Sequence, residues 1–121
     1  MEYLDVEDLL RLTRVLGAGP VRDLGLLDAA ANRPRASPFG EDAYPTTETK
    51  AAALLHSVVS SHPLVDGNKR LGWLACVVFL DLAGLRPDLD DEQAFPLVMR
   101  VAEGRLDDVA DLAAALRCTT T

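Results

Sequence analysis

From Leu71 to Leu85 the chain is apolar almost without interruption, with Asp81 as the single charge. A helix drawn through this stretch is apolar nearly all round (Leu71, Trp73, Leu74, Ala75, Cys76, Val77, Val78, Phe79, Leu80), and such a helix must be enclosed by other elements. The stretch is shorter than the ~20 residues that span a bilayer. It therefore predicts a buried core helix from near Asn68 to near Ala83, stopped by Gly84. With 121 residues, 49% of them hydrophobic, the chain fits one domain, 1–121, with one core. That content excludes disorder over most of the length.

The remaining segments read as shorter helices to pack around that one. Val6, Leu9, Leu10, Leu12 and Leu16 follow helical spacing, with Asp5 as N-cap and Gly17 as stop. A second helix runs from about Leu24 to Asn32, capped by Asp23. Between Arg33 and Pro45 three prolines and Gly40 forbid a regular helix, leaving a loop or a short hairpin flap around Gly40. Thr46 or Thr47 caps the next helix, which runs to about Ser61. Its stripe of Ala51, Leu54, Leu55 and Val58 continues to His62, which predicts an inward-facing histidine where Pro63 stops the helix. Asp90 caps a fifth helix to about Glu103, with Pro96 expected to kink it. A last helix, from about Asp107 to Arg117, presents Val109, Leu112, Ala113 and Leu116. Thr119 to Thr121 reads as a frayed end. The fold class is mainly α, a compact bundle of about six helices with a short loop or hairpin flap.

Charge and cysteine usage narrow the function classes. Twelve basic against 19 acidic residues give a net charge of -7. A chain of this charge is a poor general binder of nucleic acid or of an anionic membrane. Any phosphate must be held by a local cluster. Cys76 and Cys118 have neither metal nor disulfide spacing and read as two free thiols in a reducing cytosol. The acidic start Met1-Glu2-Tyr3-Leu4-Asp5 is not a secretory leader, and the expected location is cytoplasmic.

One stretch concentrates unusual choices: His62-Pro63-Leu64-Val65-Asp66-Gly67-Asn68-Lys69-Arg70. It leads into the most apolar helix, whose first N–H groups and dipole favour an anion. Gly67 allows close approach of a ligand to the backbone. Lys69 and Arg70 stand in the first turn, where the dipole disfavours cations unless an anion lies between. Asp66 is placed to hold Mg²⁺ beside phosphate oxygens. His62 is suited to take a proton from an attacking hydroxyl near neutral pH. Taken singly, each residue has an ordinary reading: a structural His before Pro, an Asp-Gly-Asn turn, solvated basic side chains. Their coincidence makes a phosphate site. No P-loop, Rossmann or zinc spacing is present. His56, about 120° around the helix from His62, reads as a packing or hydrogen-bonded residue. Trp73 and Phe79 read as core. Arg33 and Arg35 flank the proline-rich segment and face an acidic partner or solvent.

The run His62-x-Leu64-x-Asp66-Gly67-Asn68-Lys69-Arg70 resembles the Fic motif. The proline-rich segment, the helix before the histidine and the apolar helix after the arginine extend the likeness over about the whole chain, and to the Doc branch of the Fic/Doc family. Fic enzymes that transfer AMP typically have glycine where this chain has Lys69 and a second arginine where it has Trp73. By resemblance the chain is then a toxin component that transfers a phosphoryl group from ATP, with Mg²⁺, to a Ser/Thr hydroxyl of a protein such as elongation factor Tu, inhibiting translation. The resemblance makes His62 the general base and Asp66 the Mg²⁺ ligand. Asn68, Lys69 and Arg70 grip the nucleotide phosphates, Gly67 gives backbone room, and Leu64 anchors the loop in the core. Leu64 replaces the more common phenylalanine, and Leu71-Gly72 replaces a small polar pair. Gly72 is expected to loosen the site by up to about 1 kcal/mol relative to alanine.

Two alternatives accompany this reading: an AMP or UMP transferase on the same scaffold, and a catalytically inactive Fic-like binding module. Many members of the family carry an inhibitory helix, Ser/Thr-x-x-x-Glu-Gly/Asn. Here Ser37 to Glu41 is broken by Pro38 and Gly40, and Glu103-Gly104 has Met99 where the hydroxyl should stand. Inhibition in trans by an antitoxin chain, through an acidic or amphipathic segment, is therefore expected.

Overall fold

The computed structural model describes residues 1–121. Six α-helices form the fold: α1 (Val6–Leu16), α2 (Leu24–Asn32), α3 (Thr47–Ser61), α4 (Asn68–Leu82), α5 (Asp91–Ala102) and α6 (Val109–Leu116). Two short strands, β1 (Leu85–Arg86) and β2 (Thr119–Thr120), complete it. The predicted caps Asp5, Asp23, Thr46 and Asp90 each accept a hydrogen bond from a first-turn N–H of their helix, and Asp108, for which no cap was expected, does the same for α6. Each such cap contributes about 1 kcal/mol.

The central helix is α3 rather than the more hydrophobic α4. Every residue from Lys50 to Leu55 is buried, as are Val58 and Val59, and α3 packs against α2, α4, α5 and α6. Three consecutive alanines, Ala51 to Ala53, let neighbours close in from all sides. On α4, Leu71, Ala75, Cys76, Phe79 and Leu80 are buried, while Trp73, Leu74, Val77 and Val78 are only partly covered. Hydropathy ranked the two helices by side-chain size; burial ranks them by how closely neighbours approach. Phe79 is core as expected and meets Tyr3 with ring centroids 6.1 Å apart.

Gly72 does not loosen this contact. A Cβ there would stand 2.7 Å from Val59 Cγ2 and 3.2 Å from Leu55 Cδ1. The glycine is what lets α4 lie against α3.

The proline-rich segment is not a hairpin. It folds as two 3₁₀ turns, Arg33–Arg35 and Pro38–Gly40, because Lys50 holds it from inside. The Lys50 ammonium, 4% exposed, donates to the carbonyls of Pro34 and Tyr44 and pairs with Asp42 at 3.3 Å. Arg33 and Arg35 also fold back on the chain instead of facing a partner. Arg33 donates to the Tyr44 hydroxyl at 2.9 Å and to His56 Nδ1 at 2.7 Å, and Arg35 lies over the Tyr3 ring at 4.5 Å. An arginine only donates, so His56 Nδ1 accepts, and its Nε2–H donates to Asp107 at 2.7 Å. The hydrogen-bonded role expected of His56 is thus realised.

The C-terminal threonines are not frayed. Thr119 and Thr120 pair antiparallel with Arg86 and Leu85, and the Thr121 N–H donates to the Gly84 carbonyl at 3.0 Å. Both cysteines are free. Burial, with a smaller contribution from Cys118, pushes the Cys76 thiol far up. Burial, then Glu48, raises Cys118.

Two outcomes are expected. Gly72→Ala should lower stability by about 1–3 kcal/mol through overpacking, read by urea denaturation, although helix propensity alone favours alanine. In the native protein a thiol reagent should modify Cys118, more slowly than an open thiol, and reach Cys76 only on unfolding. Two equally fast native sites would contradict the packing.

Candidate active site

Between α3 and α4 the chain has only His62 to Gly67 in which to turn. Pro63 bars His62 from helical geometry, and His62 adopts the left-handed conformation, φ 53° and ψ 60°. This turn takes the imidazole off the apolar stripe. His62 is exposed, not inward-facing as helical periodicity implied. The chain dips back at Leu64, which is 1% exposed and anchors the loop as expected, then emerges at Val65 and Asp66.

The loop is held from two directions. On one side lies the segment between α1 and α2. The N–H groups of Arg22 and Asp23 both donate to the Pro63 carbonyl, at 2.7 and 3.0 Å. Val65 N–H donates to Pro20, and Gly19 N–H to Asp66, each at 2.9 Å. On the other side, the Asn68 carboxamide grips Leu64: Oδ1 accepts from its N–H and Nδ2 donates to its carbonyl, both at 2.9 Å. The Asn68 side chain is thus committed to shaping the loop, and the group it leaves for a ligand is its backbone N–H. Gly67, at φ 92°, brings the loop against Ala18, whose Cβ would lie 2.5 Å from a Cβ at position 67. Neither the left-handed φ nor this contact admits another residue.

The start of α4 differs from the other five helix starts. Its cap, Gly67, supplies no side-chain acceptor. The first-turn N–H groups of Asn68, Lys69 and Arg70 have no partner in the chain, and the first turn contains no acid. Lys69 and Arg70 are both exposed there. Arg70 is tied loosely, to the Leu16 carbonyl at 3.3 Å and to Asp66 at 3.7 Å. Free N–H groups, a positive helix end and two cations are features that suit an anion.

The structure therefore brings Asp66, Gly67, Asn68, Lys69 and Arg70 to one helix start. His62 stands exposed at the opposite end of the same pinned loop. A cleft of about 240 Å³ opens beside Lys69 and Arg70, walled by Trp73 of α4 and by Asp91, Phe95 and Met99 of α5. Trp73 is thus a wall residue as well as a core contact. The sequence did not mark Arg22 or the α5 wall. Phe95, off the Ala94, Leu97, Val98, Val101 stripe and 67% exposed, carried the one available signal.

No three His, Cys, Asp or Glu residues are grouped to hold a metal. Asp66, one exposed carboxylate beside the start of α4, fits a magnesium ion that takes its other ligands from phosphate and water, the usual mode for that ion.

Lys69→Gln should weaken binding of inorganic phosphate and of nucleotide, while the melting temperature of the ligand-free protein stays level or rises slightly. Removing a cation from a helix start relieves about 0.3–1 kcal/mol. A clear loss of stability without ligand would make Lys69 a structural ion-pair partner instead.

Residues 3–80, which include α1 to α3, the loop and most of α4, match the model of the Fic/DOC family. The chain is also similar to Toxin Doc of Mycolicibacterium smegmatis, 48% identical over 115 residues that cover 90% of this chain and 88% of the relative. Matches of that extent, across both the helical scaffold and the loop from His62 to Gly67, place the chain in the Fic/Doc family.

Proposed function

We propose that the chain is the toxin of a toxin–antitoxin pair and transfers the γ-phosphoryl group of ATP to a Ser/Thr hydroxyl of a protein, with elongation factor Tu as the target that the Doc resemblance implies. The observation that carries the reading is the uncapped start of α4, with free N–H groups and two cations, on the loop that also exposes His62. The similarity to Toxin Doc supports the biological role.

In this reading the phosphates lie on the N–H groups of Asn68, Lys69 and Arg70. The two side chains neutralise them, and the Asn68 carboxamide keeps the loop in shape. His62 removes the proton of the acceptor hydroxyl as its oxygen bonds to the γ-phosphorus. The bond from that phosphorus to the bridging oxygen breaks, and ADP leaves with the electron pair. Asp66 would hold Mg²⁺, which, when bound, adds charge neutralisation at the phosphates. Trp73 favours phosphoryl over AMP transfer, because a wall of the cleft stands where AMP transferases of the family present a second arginine. No helix of the chain is long and apolar enough to cross a membrane, which accords with action in the cytoplasm.

Control in this reading comes from the antitoxin. The cleft pairs apolar walls (Trp73, Phe95, Met99) with Lys69 and Arg70 at its side. That combination suits an amphipathic acidic segment that orders on binding.

His62→Ala should lower transfer by about 10²–10⁴-fold with the fold intact. The test incubates each protein with elongation factor Tu and ATP labelled at the α- or the γ-phosphate. Transfer of γ-label by the wild type alone supports the assignment. Transfer of α-label identifies a nucleotidyl transferase, and full activity in a folded His62→Ala variant rejects His62 as the base.

A further inference from the structure

Helix α3 ends without the closure found in the other helices. At α1, α2, α4, α5 and α6 the cap residue returns its backbone N–H to a carbonyl of the last turn. At α3 the left-handed residue, His62, makes no such bond, and the residue after it is proline. The two-bond Schellman closure of a left-handed helix end needs the N–H of that next residue, and proline has none. His62 thus holds a conformation unfavourable to any residue with a Cβ, without the backbone bonds that normally reward it.

Two other donors reach the end of α3, from a side chain in the segment between α1 and α2. Arg22 Nε donates to the His62 carbonyl at 2.8 Å, and Nη2 donates to the Ser61 carbonyl at 3.1 Å. A planar fork spanning two adjacent carbonyls is a geometry that arginine supplies and lysine does not. Its positive charge also sits at the negative end of the α3 dipole, where a cation is favoured. Within the same contact, the backbone N–H groups of Arg22 and Asp23 fix the Pro63 carbonyl.

We infer that Arg22 is a positioning residue for His62. At an end that lacks the helix closure, its guanidinium grips the two outermost carbonyls and holds the left-handed turn on which the placement of the imidazole depends. The inference rests on the reading of His62 as the base and adds to it a residue that touches neither substrate nor phosphate site. Arg22 is exposed, and the loop keeps its ties to Pro20 and Asn68 without it. Loss of the side chain should therefore change the His62 turn more than it changes the fold.

The experiment compares wild type, Arg22→Ala and Arg22→Lys by three measurements: the NMR Cα and Cβ shifts of His62, the melting temperature, and kcat and KM for ATP with elongation factor Tu as acceptor. For Arg22→Ala the His62 shifts should leave their left-handed values. Its kcat should fall about 10²-fold, the scale of a misplaced catalytic group, while KM for ATP and the melting temperature stay near wild type. Arg22→Lys, keeping the charge without the fork, should fall between the two in both shifts and kcat. Unchanged His62 shifts in Arg22→Ala overturn the inference whatever the activity does. So does a parallel loss of kcat, ATP affinity and thermal stability, which would mark Arg22 as a general structural residue. If wild type transfers no label at all, the phosphotransfer reading fails separately, and the His62 shifts alone decide whether Arg22 sets the turn.

Discussion

The absence of a side chain at Gly72 lets α3 and α4 lie against each other, and the site depends on that contact. Val59 and Leu55 fill the space that a Cβ would claim. With the two helices fixed at this distance, the chain has six residues to leave one and enter the other. Pro63 sets where α3 stops, Leu64 returns to the core, and Gly67 turns the chain into α4. The exposed start of α4 follows from helices that are committed to each other further in.

The loop is shaped mostly by backbone hydrogen bonds, and this suits a site that must keep its geometry. Four main-chain N–H groups, the Asn68 carboxamide and the Arg22 guanidinium tie it down. Side chains that are free for chemistry (His62, Asp66, Lys69, Arg70) are thereby spared from holding the fold. Their ion pairs in the chain are weak: Asp66 and Arg70 stand 3.7 Å apart, and both are more than half exposed. Exposed pairs of this kind contribute about 0–1 kcal/mol. These side chains are therefore only loosely held within the chain.

A second polar network steadies the far side of the bundle. Lys50 is buried, and its ammonium is surrounded by two carbonyls and Asp42. A buried ammonium without such partners would be strongly destabilising. Here it draws the proline-rich segment onto α3. His56, held in one tautomer between Arg33 and Asp107, joins that segment to the start of α6. These contacts explain why basic residues around the segment face inward in a chain of net charge -7.

Local chemistry was legible in the residues themselves. Asp5, Asp23, Thr46 and Asp90 mark helix starts because their side chains satisfy first-turn N–H groups nearby. Leu64 reads as an anchor, and Asn68 to Arg70 reads as a helix start that carries cations and no acid. These are interactions over a few residues, and the sequence by itself determined them. Tertiary structure decided what depends on partners distant along the chain. The centrality of α3, the outward turn of His62, the 3₁₀ folding over Lys50 and the pairing of Thr119 with Arg86 are of this kind. So is the reach of Arg22 to the end of α3, 40 positions away. Helical periodicity assigns a face only while the helix lasts. It stops at Pro63, and beyond that point the direction of His62 is set by contacts from a segment that no local pattern connects to it.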